Sequence, residues 1–185
     1  MNIGAVSQPY SFNYNRTQKN MINSKTAYSP ATASSITLNY FSNNGGDHAL
    51  TCVGTPDGGS ASVFKSDAYS ELNPEYKVKY WDKDGSEKEY LINPREVNPE
   101  EASYMEMLAY TTYADVQGYT KDGFGHFITA AGGVNQDQSY SLGNIDTKQN
   151  FKTIVAEMMK LQYDNNNLEG YLSYKQLFDY MGHEK

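Results

Sequence analysis

Cys52 is the only thiol in the 185-residue chain, and His48, His126 and His183 are the only imidazoles. A cysteine becomes a nucleophile when a base lies within hydrogen-bond reach and its surroundings favour the thiolate. His48 stands four residues before Cys52 and would share its side of a strand, but at roughly 13 Å it is too remote to act as that base. His126, in a glycine-rich stretch, is the partner a hydrolase or transferase would use. The competing reading is a plain strand cysteine, since unreactive cysteines are far commoner than catalytic ones. Asp47, His48, His126 and His183 are also the residue types that hold metals. Their spacing matches neither H-x-H nor H-E-x-x-H, so surface histidines are the simpler reading.

A second candidate spans Asn165 to Gln176, which resembles a calcium-binding helix–loop–helix. Counted from Asn165, the ligand positions fall on Asn167, Glu169 and Ser173, with Gly170 at the sharp turn and Gln176 at the last position. Asn stands where the pattern has Asp, and Gln176 stands where it has a bidentate Glu. Glu169 alone brings charge, so the ordinary reading is a helical hairpin with a capped second helix. The glycines from Gln117 to Gly143 form neither a P-loop nor a G-x-G-x-x-G, so no phosphate cradle is predicted and no cofactor is implied.

The element that would organise these residues is the stretch from Tyr76 to Asp115. Tyr76, Val78 and Tyr80 alternate with Lys77 and Lys79, the period of a half-buried strand. Asp82-Lys83-Asp84-Gly85 predicts a hairpin turn. On the return, Tyr90 and Ile92 share one face while Glu87 and Glu89 face the lysines. Asn98 as cap, Pro99 at the first helical position and Glu101 as capping-box acid predict a helix running to Asp115, with Val97 stapled onto Ala102. Its stripe is Ala102, Met105, Leu108, Ala109 and Thr112, with Glu106 on the opposite side, expected to tolerate substitution unless it has a partner. Trp81-Asp82-x-x-Gly85, Asn93-Pro94-x-x-Val97-x-Pro99 and Glu106-Met107-x-Ala109 together resemble a segment of small uncharacterised proteins of Gram-positive (Firmicutes) gut bacteria. The resemblance covers residues 78–110 and implies no activity and no site residues.

Around that stretch, residues 1–45 read as a flexible polar tail. No acid occurs before Asp47, and Ser, Thr, Asn and Gln supply 21 of the first 46 residues, too polar a mixture to build a core. Ile36 to Phe41 is a candidate short strand at its end. The tail lacks the apolar run of a Sec-type signal peptide, which leaves a cytoplasmic location or export by a flagellar-type route. His48 to Gly54 and Ala61 to Lys65 read as a hairpin around Pro56-Asp57-Gly58-Gly59, and Ser66 to Pro74 as an irregular link holding at most one helical turn. Gln117 to Gly143 reads as a loop, with Phe124 to Ala131 as a strand or short helix within it. Asp146 with Gln149, and Ser173 with Gln176, predict two further helix starts.

The fold class expected is therefore α+β: one domain over residues 46–185, mainly β from 46 to 97 and mainly α from 98 to 185, with a small antiparallel sheet packed against three or so helices. A net charge of −7 without a basic stripe argues against nucleic acid, and no apolar run suffices to span a bilayer. The mean hydropathy of −0.71 is polar for a folded chain, and 17 tyrosines dominate its aromatics. Tyrosine buries its ring and keeps its hydroxyl wet, which suits interfaces. The favoured expectation is a non-catalytic protein-binding or structural module, with export or surface association as a further expectation. The alternatives are an enzyme using Cys52 and His126, and a degenerate calcium-binding hairpin.

Overall fold

The computed structural model describes residues 48–136 and 145–182. The tail, its short strand, Asp47 and His183 lie outside the described residues. The chain is α+β, as its patterning predicts. Strands β1 (Thr51–Gly54), β2 (Ser60–Lys65), β3 (Tyr76–Trp81) and β4 (Glu87–Ile92) form one antiparallel meander in the order β1-β2-β3-β4. The β3–β4 hairpin turns where Asp-Gly predicts: Asp82 and Ser86 close it, and Gly85 adopts φ +85°, which glycine accepts without strain. Tyr76, Val78 and Tyr80 stand opposite Ile92, Tyr90 and Lys88, and all three of the β3 residues are buried. On the other face Lys79 pairs diagonally with Glu87 at 3.4 Å. Ser66 to Pro74 forms turns and bends rather than a helical turn.

Four helices follow: α1 (Tyr104–Val116), α2 (Gly123–Gln136), α3 (Phe151–Asp164) and α4 (Leu168–Met181). Helix α1 begins later than its sequence predicts. Asn98 closes only a single turn, accepting from Glu100 and Glu101. Ala102 then forms a two-way backbone bridge with Gln149 (3.1 and 2.8 Å), which withdraws its N–H and C=O from any helix. Ser103 is the cap instead, in a reciprocal capping box with Glu106. The stripe is also wider than one face. Helix α1 touches β2, β3 and β4 on one side and α2 on another, so every residue from Tyr104 to Ala114 except Glu106 is buried.

The expected loop over Gln117 to Gly143 contains helix α2. Its cap comes from α1: the Asp115 carboxylate accepts from the backbone N–H of Gly123 (2.7 Å) and Phe124 (2.9 Å). The approach is close enough that a Cβ on Gly123 would lie 2.5 Å from the Thr120 hydroxyl, which explains a glycine there. The two later starts also shift. Asp146 is not the cap of α3, which is Asn150; it takes the Tyr90 hydroxyl at 2.8 Å and Lys88 at 3.5 Å. Asn167 caps α4, six residues before Ser173. The core closes between the sheet and the helices on Tyr76, Val78, Leu108, Phe127, Phe151 and Leu177. Among the described residues no helix is long and apolar enough to cross a membrane.

Candidate functional site

Cys52 and His126 are not brought together. On β1 the Thr51 hydroxyl meets Thr112 of α1 at 2.9 Å, so Thr51 faces the helices and Cys52, the next residue, faces the opposite side of the sheet. There Cys52 is exposed and its Sγ accepts from the Ser62 hydroxyl at 3.2 Å. His126 belongs to α2, which packs on α1, α3 and α4. Its Nδ1 lies 2.5 Å from the Asp122 carbonyl, and its ring meets Tyr174 edge to face. The sheet and α1 stand between thiol and imidazole. His48 is exposed ahead of β1. No group of three or more His, Cys, Asp or Glu side chains converges among the described residues in a way that could hold a metal ion.

The calcium-loop reading meets a helix. Leu168 to Gln176 belongs to α4, so Glu169, Ser173 and Gln176 sit on helical turns rather than around a cation. The side chains of Asn165, Asn167, Ser173 and Gln176 already have local roles. Asn165 caps the end of α3 and Asn167 the start of α4. Ser173 donates to the Glu169 carbonyl, and Gln176 accepts from the Lys121 N–H and reaches the Tyr119 carbonyl. The hairpin is present, but its second helix starts before Ser173 because Asn167 is an equally good cap and lies earlier in the chain.

The structure gathers a different set of residues at the C-terminal end of α1. Five rings run in contact from the edge of the sheet to α4. Tyr69 meets Tyr76 at 5.7 Å, Tyr76 meets Tyr113 at 6.1 Å, Tyr113 meets Tyr119 at 6.1 Å, and Tyr119 stacks on Tyr180 at 5.4 Å. Tyr110, buried in α1, joins the far end at 4.9 Å from Tyr180. Arg95 lies over this row. The Asn93 side chain and carbonyl fold residues 93–96 into a turn that presents it. Its Nε donates to the Tyr113 hydroxyl at 3.1 Å, and its two Nη atoms donate to the carbonyls of Leu72 (3.2 Å) and Glu71 (3.1 Å). Leu72 is 92% exposed, Tyr119 51% and Val116 45%, so the row has an apolar, solvent-facing margin.

Electrostatically this surface is a row of phenols with two cations, Arg95 over Tyr113 and Lys65 over Tyr69, and one carboxylate beside it, that of Glu71, which accepts from Tyr69. Burial, first of all, pushes the phenols of Tyr76 and Tyr180 well above the usual tyrosine range, so both keep their protons at neutral pH. Arg95 is held protonated by its bond to Tyr113. The phenols and the two cations can donate hydrogen bonds, stack and pair with an anion. Sequence reasoning missed them because the tyrosines come from five separate segments: the 66–75 link, β3, α1, the α1–α2 loop and α4. The abundance of tyrosine was the only advance signal, and it does not say which rings meet.

Two other features are structural by geometry. Asp57 in the β1–β2 turn accepts from Thr55 (2.6 Å), Tyr80 (2.8 Å) and the Gly59 N–H (3.3 Å), which fastens the turn to β3. A shallow groove of about 310 Å³ beside the start of α3 is lined by Glu100, Asn150, Lys152 and Phe178, among others. Lys152 is already paired with Glu100 there at 2.8 Å. Compared with known protein families, with curated protein sequences and with solved structures, the chain matches none.

Proposed function

We propose that this chain is a non-catalytic protein-binding module that engages its partner through the tyrosine and arginine surface at the end of α1. The observation that carries the reading is the exposed margin of that surface. Tyr119 and Val116 are about half exposed, although the rings behind them are packed into the core. Rigid tyrosines beside an arginine and an exposed aliphatic are the composition that concentrates binding energy at protein interfaces. Their backing by Tyr113 and Tyr180 means that little side-chain freedom remains to be lost on binding. The separation of Cys52 from His126 supports the same reading over the hydrolase or transferase alternative.

The test places a photo-reactive benzoylphenylalanine at Tyr119 in the full chain, with the same substitution at Tyr163 as control. Tyr163 is 70% exposed at the far end of the α3–α4 hairpin. Irradiation in an extract of the source cells should join Tyr119, but not Tyr163, to a protein of one defined mass. Val116→Lys should abolish that product. Identical products from both positions, or none from Tyr119, would remove the surface from consideration.

A further inference from the structure

We propose that Arg95, Tyr113 and Tyr76 form a carboxylate-binding subsite, occupied in the free protein by two backbone carbonyls of the chain itself. The inference rests on the protein-binding reading above and names the chemistry of the partner: a peptide carboxylate. The first observation is the geometry of Arg95. Its two Nη atoms donate to two adjacent carbonyls, those of Leu72 and Glu71, at 3.2 and 3.1 Å. Two parallel N–H donors toward two neighbouring oxygens is the arrangement in which a guanidinium takes a carboxylate. The carbonyls are neutral, whereas a carboxylate would add charge to both bonds and make them shorter and stronger.

The second observation is independent of Arg95. The Tyr76 hydroxyl is completely buried and has no hydrogen-bond partner, in a class of groups that are almost always satisfied. Its ring touches those of Tyr69 and Tyr113. The Tyr69 hydroxyl is engaged with Glu71 Oε1 at 3.2 Å, and no bond of acceptable geometry joins it to Tyr76. The Tyr113 hydroxyl accepts from Arg95 Nε and so keeps its own proton to donate. Arg95 and the Tyr113 and Tyr76 hydroxyls are thus all donors, and the carboxylate beside them, that of Glu71, belongs to the covering segment and would leave with it.

The covering segment is a short strap, held besides Arg95 by Asn73, which accepts from the Asn93 side chain at 3.2 Å, and by Tyr69, which packs against the core. Residues 66–75 leave and rejoin the sheet at one point, where the Ser66 N–H meets the Glu75 carbonyl (3.1 Å) and the Ser66 hydroxyl meets Glu75 Oε1 (2.8 Å). Leu72, near its tip, is 92% exposed, so lifting the tip removes almost no apolar surface from the core at that residue. A partner carboxylate would replace the Glu71 and Leu72 carbonyls on Arg95, and the displaced strap would uncover the Tyr76 hydroxyl.

The experiment titrates the full chain with sodium acetate, against sodium chloride at matched ionic strength, and follows the Arg95 Nε–H and Leu72 N–H resonances by NMR. Saturable shifts of both with acetate alone are expected. Tyr76→Phe should weaken acetate by about tenfold, as for loss of a hydrogen bond to a charged group, and should melt no lower than the wild type because the hydroxyl it removes had no partner. Arg95→Gln should abolish saturation. Glycine tripeptides then separate the sources: one with a free C-terminus represents a chain end, and an amidated one with a central Asp represents a side chain. Saturation by either assigns the carboxylate. Unsaturable or chloride-like shifts, or equal acetate affinity in Tyr76→Phe, overturn the subsite. If Tyr119 still cross-links in that event, the binding surface stands and the carboxylate subsite alone falls.

Discussion

Glu106 joins two parts of the chain with one carboxylate. Oε2 accepts from the Ser103 N–H at 2.6 Å and completes the capping box of α1, while Oε1 pairs with Lys148 at 3.3 Å. Tolerance of substitution here is expected only of a residue without a partner, and Glu106 has two. Glu106→Ala should cost about 1 kcal/mol, the usual worth of a cap, against under about 0.5 kcal/mol for a free surface residue. Glu106→Gln should recover most of it, because the amide oxygen can still accept from Ser103. Urea denaturation of the three proteins reads the difference. Asp57 gives a pH signature at the same scale. Burial, the largest influence, pushes its carboxyl up, but the bonds from Thr55, Tyr80 and the Gly59 backbone outweigh it and hold the carboxyl below its ordinary value. Its contribution is thus fully present above the unfolded carboxyl range of about 4 and is lost as pH falls through the folded value. Asp57→Asn should be less stable than wild type at neutral pH, with the gap closing below about pH 4. A gap unchanged down to pH 2 would show that the ionised form is not what the turn holds.

Helix α1 is the element on which the others depend. It lies against three strands and against α2, and Leu108 at its centre has no exposed surface. Leu108→Ala should therefore cost on the order of 2 to 5 kcal/mol, with the larger values expected where neighbours cannot close the cavity. A loss comparable with that of Glu106→Ala would mean that the sheet settles onto the shortened side chain. Much of this element was legible in advance. Met105, Leu108, Ala109 and Thr112 were correctly assigned to buried positions. Met107, Tyr110, Thr111 and Tyr113 were not, because periodicity identifies a helix with one apolar face and α1 is covered on more than one. Its first residue was misread for a different reason: the Asn98-Pro99 signal is real, but the bridge between Ala102 and Gln149 interrupts the helix before it can propagate. The Gly-rich α2 was hidden because its cap, Asp115, belongs to another helix.

The whole molecule has a tightly covered centre and a lightly covered end. Leu161, Tyr163, Leu168 and Leu172, where α3 meets α4, range from 49% to 70% exposed. Opening free energy should follow that gradient. Backbone amides of α1 and β3 should exchange hydrogen most slowly, and those in the last turn of α3 and first turn of α4 several-fold faster, by mass spectrometry of peptides across both regions. Uniform protection along the helices would contradict it.

The charged and apolar faces of the β3–β4 hairpin, its Asp-Gly turn and the α+β class were all determined by the sequence alone. These features depend on contacts between near neighbours and on the period of side chains along an element. Tertiary structure alone decided which of several plausible caps each helix uses, since Asn98, Asp146 and Ser173 are as well suited locally as Ser103, Asn150 and Asn167. It also separated Cys52 from His126 and gathered Tyr69, Tyr76, Tyr113, Tyr119 and Tyr180 beneath Arg95. Those outcomes depend on which segments pack together. Residues far apart in the chain carry no spacing signal that a single sequence can express.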